Sequence, residues 1–204
     1  KFYEQRHFVS ADTLSGMENV LIKAADGEPC WVPLVTDTIF QCDEQPLFTF
    51  GVEICEDLWV PNPPSTTLAQ AGAHIIVNLS ASDEIIGKAG YRRDLVRQQS
   101  GRLLCAYLYA DAGFGESTQD LVFAGHDLIA ENGAMLAESR MFEQGIIYAD
   151  IDLQRLAHET RFLAETGTQI ATDDASPVFN HAHFVEDLPF GDESWHPRLI
   201  EATV

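Results

Sequence analysis

Apolar residues along the chain fall into short, nearly unbroken runs separated by turn residues, too short and too rich in β-formers for buried helices. The first run, FTFGVEIC from Phe48 to Cys55, reads as a buried strand that stops at Glu56-Asp57 and leaves Cys55 at its C-terminal end. Pro61, Pro63 and Pro64 break the chain, and Ser65 is placed to cap a short helix through Thr67 to Ala71. His74 to Leu79 predicts a second buried strand, followed by Ser80-Ala81-Ser82. From about Lys88 to Leu104 the spacing turns helical, with Tyr91, Leu95, Val96, Leu103 and Leu104 on the inner side. Cys105 to Ala110 is a third strand. Strands and helices in alternation, each strand almost wholly apolar, predict an α/β sheet covered on both faces by helices.

Beyond this core the rhythm changes. Gly113, Gly115, Gly125 and Gly133 punctuate short segments such as Leu121 to Phe123 and His126 to Ala130. Glu131-Asn132-Gly133 signals a hairpin, with Ala134 to Ala137 returning. Gly145 to Ile151 reads as a last strand, and Asp152 caps a helix running to about Arg161. Residues 167–204, with Pro177, Pro189 and Pro197, read as an irregular arm or linker, and the first 47 residues are weakly patterned. The organisation predicted is one domain over 1–165 and an arm over 166–204. Repeats and low-complexity tracts are absent from the sequence.

Charge and composition narrow the function. The 204 residues carry 12 Lys plus Arg against 32 Asp plus Glu, a formal net charge of −20, with 46% hydrophobic residues. The apolar fraction suits a packed core, while so acidic a chain repels phosphate backbones and anionic headgroups, which argues against nucleic-acid and membrane partners. No run reaches the roughly 18 apolar residues of a membrane-spanning helix, and the start shows no signal-peptide pattern. That start, Lys1 with no initiator methionine, points to a piece of a longer protein. The four cysteines, at 30, 42, 55 and 105, form neither a disulfide framework nor a CxxC pair, which suits a reducing cytoplasm. Asn78-Leu79-Ser80 matches the glycosylation triplet by chance alone.

A thiol at the C-terminal end of a buried strand lies where α/β folds bind ligands, so Cys55 is the candidate nucleophile. Glu56 and Asp57 beside it would disfavour a thiolate unless a cation lies near. The alternative is a small buried cysteine at a strand end, and the local pattern leaves both open. Cys105 reads as core, and Cys30 and Cys42 have no basic neighbour in sequence. Five basic residues, Lys88, Arg92, Arg93, Arg97 and Arg102, reverse the sign of the chain locally. Most read as a solvated helix face; Lys88, nearest the Ser82 loop, is the candidate for a substrate carboxylate. Ala112 to Ser117 contains GxG without a following helix, and GxSxG, HExxH and GxxxxGK[ST] do not occur. His181, His183 and His196 read as solvated, so no metal site is expected.

GVEICEDLW, Gly51 to Trp59, resembles the nucleophile segment of the carbon–nitrogen hydrolase, or nitrilase, superfamily. Its CED-x-W form is most similar to the glutaminase domain of glutamine-dependent NAD+ synthetases. Phe2 to Phe8, Asn78 to Ser82 with Ile86 to Ser100, and Tyr109 to Gly125 carry the same likeness, over about residues 1–165. The resemblance implies a nitrilase-type αββα sandwich, incomplete at the N-terminus, of which the chain holds the C-terminal two-thirds. It implies a Glu–Lys–Cys site in which the thiolate attacks the amide carbon of L-glutamine, releases ammonia and leaves a thioester for water. On this likeness Cys55 is the nucleophile, Glu4 a second glutamate that orients the site, and Ser82 and Lys88 bind the amino-acid end. Glu56 and Trp59 line the same pocket.

The sequence departs from that pattern. The segment with the family's catalytic Lys, and the base Glu ahead of it, have no counterpart, and Lys1 is only three residues from Glu4. Position 88 is Lys where the pattern has Arg, a point charge in place of a bidentate clamp. The expectation is a fragment inactive alone, with no cofactor in this domain and ATP and Mg confined to a missing synthetase domain. Homo-oligomers are implied. The alternatives are a superfamily amidase without a synthetase domain, or a non-catalytic assembly module.

Overall fold

The computed structural model describes residues 18–166 apart from residues 25, 37 and 119, together with two short strands at residues 182–183 and 199–203. Strands β1 (Glu18–Lys23) and β2 (Pro29–Leu34) form an antiparallel pair of their own. A mixed sheet then takes β3 (Ile39–Gln41), β4 (Thr49–Ile54), β5 (Ile75–Ser80), β6 (Ala106–Asp111), β7 (Leu128–Glu131) and β8 (Ala134–Glu138), neighbours in that order. Strands β4, β5 and β6 are parallel, and the three predicted apolar runs are these strands, displaced by a residue or so. Their crossovers carry α1 (Pro64–Gln70) and α2 (Lys88–Leu103).

Side chains alternate across the sheet with a period of two. Ile76, Tyr107, Tyr109 and Leu128 face the layer that holds Leu68 of α1 and Val96 of α2. Ile75, Ala106, Leu108 and Ile129 face the other way and meet Ile151, Leu153 and Leu156. The two crossover helices therefore share one face, and the helix that begins at Leu153 covers the other with Leu153 and Leu156, so helices cover both faces as the alternation predicted. Gly51 shows why β4 tolerates a glycine: a Cβ there would lie 2.9 Å from Leu68 Cδ1.

The hairpin predicted at Glu131-Asn132-Gly133 joins β7 to β8, with Asn132 and Gly133 both at positive φ, 45° and 81°. Strand β9 (Ile146–Asp150) precedes α3 (Leu153–Thr166), and Asp152 caps that helix as expected, its Oδ1 accepting the Arg155 N–H at 3.0 Å. Four expectations are corrected. Ser65 does not cap α1; it lies inside the first turn behind Pro63 and is buried. Tyr91 is 59% exposed, while Leu95, Val96 and Leu103 face the core as expected, joined there by the buried polar Arg92, Gln99 and Ser100. Leu121 to Phe123 makes only an isolated bridge, Asp83 to Phe123. The region after 166 is not wholly irregular: β10 (Ala182–His183) runs parallel to β3, and β11 (Leu199–Thr203) antiparallel to β9. His181 and His196 lie outside the described residues. Among the described residues no helix is long and apolar enough to cross a membrane.

Candidate active site

Because β4, β5 and β6 are parallel, their C-terminal ends open on one edge of the sheet, and the chain leaves β4 there through a 3-10 turn, Cys55–Trp59. Cys55 begins that turn with φ of +53°, a left-handed conformation costing a non-glycine residue of order 1–2 kcal/mol. The sharp turn leaves the residue half-buried at the strand end, unlike the fully buried Cys105, whose thiol burial pushes well above the usual range.

What holds the turn is polar. The Cys55 N–H donates to Asn78 Oδ1 at 3.0 Å, and Asn78 Nδ2 donates to the Cys55 carbonyl at 3.4 Å and to the Tyr107 hydroxyl at 3.1 Å. Tyr107 in turn donates to Glu53 Oε1, while Glu53 Oε2 accepts the Ser65 N–H at 2.8 Å. At the turn itself, Asp57 Oδ2 accepts the Ile54 N–H at 2.8 Å. Asn78 and Glu53 escaped the sequence reading, although a polar residue within an apolar strand was the available signal.

The residues predicted beside Cys55 form two groups. Lys88, first residue of α2, places Nζ 2.7 Å from both Asp83 Oδ1 and the Asp83 carbonyl, and 5.4 Å from the centre of the Trp59 ring. Trp59 also packs on Tyr91 at 5.4 Å between ring centres. The Lys88 hydrogen bond and charge hold the Asp83 carboxyl below its ordinary range. Ser82 is buried behind this pair: its N–H donates to Asp111 Oδ1 at 2.8 Å and its hydroxyl accepts from Arg92 Nη2 at 3.3 Å. Glu56 is exposed on the turn. Glu4 lies outside the described residues.

Arg92 is the exception in a basic cluster whose Arg97 and Arg102 are exposed, as the reading of most of it as a solvated face expected. Its side chain is fully buried, with Nη1 donating to Glu84 Oε2 and to His126 Nδ1, each at 2.9 Å. Since an arginine only donates, His126 Nδ1 accepts, and Nε2 carries the proton toward Glu138 Oε1 at 2.8 Å. Burial, joined by the Arg92 charge, lowers the His126 pKa. Arg93 grips the same Glu138 from outside, Nε lying 3.1 and 3.0 Å from its two oxygens. Sequence periodicity could not show this, because the partners come from the loop after β5, from β6, from the segment just before β7 and from β8.

Two buried carboxyls complete the edge. Asp127 Oδ1 accepts the Asp111 N–H at 2.7 Å, and the Oδ2 atoms of both lack a hydrogen-bond donor. Burial raises both to about 6. The folded state thus holds the Asp127 proton more tightly than the unfolded chain, a stabilisation complete below the ordinary value of 3.8 and lost as pH rises through about 6. Asp127→Asn removes that loss. Denaturation curves should show its stability relative to the parent rising by about 1 kcal/mol or more between about pH 4 and pH 8. A pH-independent difference would contradict the burial argument.

The carbon–nitrogen hydrolase family profile matches residues 2–161. The chain is 41% identical over 195 residues to a glutamine-dependent NAD+ synthetase of Mycobacterium bovis, and 36% identical over 162 residues to one of Thermotoga maritima. These alignments cover 94% and 74% of the chain and 28% of each relative, so the chain spans little more than a quarter of their length. A solved carbon–nitrogen hydrolase from Helicobacter pylori superposes with a TM-score of 0.53 at 19% identity, covering 62% of this chain and 48% of the other. A nitrilase-superfamily protein from Saccharomyces cerevisiae gives 0.50 at 21%, covering 78% of this chain and 50% of the other. Both likenesses show the nitrilase fold.

Proposed function

Since the chain belongs to the carbon–nitrogen hydrolase family, we propose that it releases ammonia from L-glutamine through a Cys55 thioester, as the glutaminase part of a glutamine-dependent NAD+ synthetase. The observation that carries the reading is Cys55 itself, held half-buried at φ +53° where the parallel strands open. In this reading Cys55 Sγ attacks the side-chain amide carbon, the C–N bond breaks, and the nitrogen leaves as ammonia with a proton from a general acid. Water then attacks the γ-glutamyl thioester, giving glutamate and restoring the thiol. Backbone N–H groups of the 3-10 turn are the donors nearest the developing oxyanion. Glu4 remains the orienting second glutamate in this proposal.

Recognition of the amino-acid end falls to Ser82, Lys88 and Trp59, with Glu56 on the rim. Lys88 supplies a cation for the α-carboxylate, and Asp83 beside it an anion within reach of the α-ammonium. The ammonia would amidate deamido-NAD+ in a separate synthetase domain that binds ATP and Mg, in a cytoplasmic, homo-oligomeric enzyme. The relatives' names support the synthetase setting, and the four free cysteines suit a reducing compartment. The test is ammonia release by the full-length enzyme from L-glutamine and from glutaramate, which lacks the α-amino group. The reading expects turnover of L-glutamine, with kcat/KM for glutaramate lower by about tenfold or more. Equal turnover, or none with L-glutamine, would contradict it.

A further inference from the structure

We propose that Tyr107 and Glu53 are positioning residues for Cys55, acting through Asn78 by a chain of hydrogen bonds whose direction is set at Glu53. The inference deepens the glutaminase reading but stands on the geometry of the elbow alone. An asparagine amide has two faces of nearly equal shape, and only its partners decide which one meets the Cys55 N–H. Here Oδ1 must face it, since the opposite orientation would set Nδ2–H against N–H, donor against donor.

The orientation is fixed from the far side. Nδ2 lies 3.1 Å from the Tyr107 oxygen, and that oxygen can accept from it only while its own hydrogen is directed elsewhere. The hydrogen is directed to Glu53 Oε1, and the other Glu53 oxygen accepts the Ser65 N–H from α1 at 2.8 Å. Burial and the neighbouring Glu53 charge push the Tyr107 pKa well up, so the phenol keeps the hydrogen that the chain requires. Glu53, Asn78 and Tyr107 are each 2% exposed or less, so water does not compete for these bonds. A left-handed cysteine is held only while both its N–H and its carbonyl are engaged, and Asn78 engages both. Loss of the Tyr107 hydroxyl therefore frees the Asn78 amide to turn, and the elbow that presents Sγ relaxes.

The test uses the full-length enzyme, for kinetics and, with cysteines labelled by carbon-13 and nitrogen-15, for spectroscopy. Tyr107→Phe should lower kcat for L-glutamine, counted per folded enzyme from a thermal melt at the assay temperature, by about tenfold or more with KM within about threefold. The Cys55 amide signal should move or double while those of Cys30 and Cys42 stay in place. Tyr109→Phe is the spectroscopic control. Tyr109 lies beside Asn78 in the strand register but hydrogen-bonds Ser80 at 2.6 Å, off the chain, so its replacement should leave the Cys55 signal unmoved. Should Tyr107→Phe fail to fold, Glu53→Gln takes its place, since a glutamine can accept only one of the two donors through its single oxygen. A Cys55 signal that moves in an enzyme without glutaminase activity supports the positioning and overturns the glutaminase reading. An unmoved Cys55 signal with unchanged kcat overturns the positioning.

Discussion

Replacing Cys55 with alanine in the full-length enzyme is expected to abolish glutamine-driven NAD+ synthesis while leaving synthesis from added ammonia within about twofold. In the proposed reaction the thiol forms the covalent intermediate, and alanine has nothing to offer the amide carbon, so the loss should reach about a thousandfold or more. The effect is confined to one half-reaction because Cys55 stands half-buried at the sheet edge, outside both packed faces of the sheet. Its backbone is held by Asn78 on N–H and C=O, neither of which the substitution removes. Two parallel assays with each nitrogen source, and a thermal melt to show that the fold persists, check the outcome. Persistence of glutamine-driven synthesis would remove Cys55 from the mechanism. Loss of both activities in a folded protein would mean that the site is coupled to the synthetase reaction itself.

The largest expected effect on stability belongs to Arg92→Met. Methionine fills much of the volume but leaves Glu84 and His126 without their donor, takes the hydrogen bond from Ser82, and strips the buried Asp111 of its nearby cation at 3.8 Å. Removing one partner from a buried ionic network costs about 3–5 kcal/mol, against the 5–15 kcal/mol that holds a typical domain together. Arg92→Lys should be intermediate, because a single ammonium nitrogen cannot stand both where Nη1 serves Glu84 and His126 and where Nη2 serves Ser82. Urea titration of parent and variants measures both. A loss under about 1 kcal/mol for the methionine variant would show that this network contributes little to the fold.

The strands of the central sheet were legible in the sequence because β4, β5 and β6 are buried on both faces and so read as unbroken apolar runs. Asp152 and the Asn132-Gly133 turn were legible for a local reason, since a cap and a two-residue hairpin are each specified within a few residues. The polar part of the inner face of α2 was not. Periodicity assigns apolar residues inward, whereas Arg92, Gln99 and Ser100 turn inward because acceptors from distant segments await them. Gln99, for one, donates to Ser65 Oγ at 2.9 Å across 34 positions of sequence. The side of the sheet on which each helix packs is likewise set by the crossovers and leaves no mark on composition. At the site, Cys55 was visible as a thiol at a strand end beside a turn. The positive φ that exposes it was not, since that conformation is imposed by Asn78 from the neighbouring strand. The resemblance put Lys88 and Trp59 in one pocket, and the fold sets their contact, Nζ lying 5.4 Å from the ring centre.

The central claim, that Cys55 is an addressed nucleophile and not a packed thiol, is tested most directly by mass. The full-length enzyme is incubated with an electrophilic glutamine analogue, digested, and every cysteine-containing peptide weighed. The account predicts one adduct, on Cys55, suppressed by excess L-glutamine, with Cys30 and Cys42 unmodified although they are more accessible than Cys105. Modification of Cys30 and Cys42 ahead of Cys55, or labelling of Cys55 that L-glutamine does not slow, would contradict it.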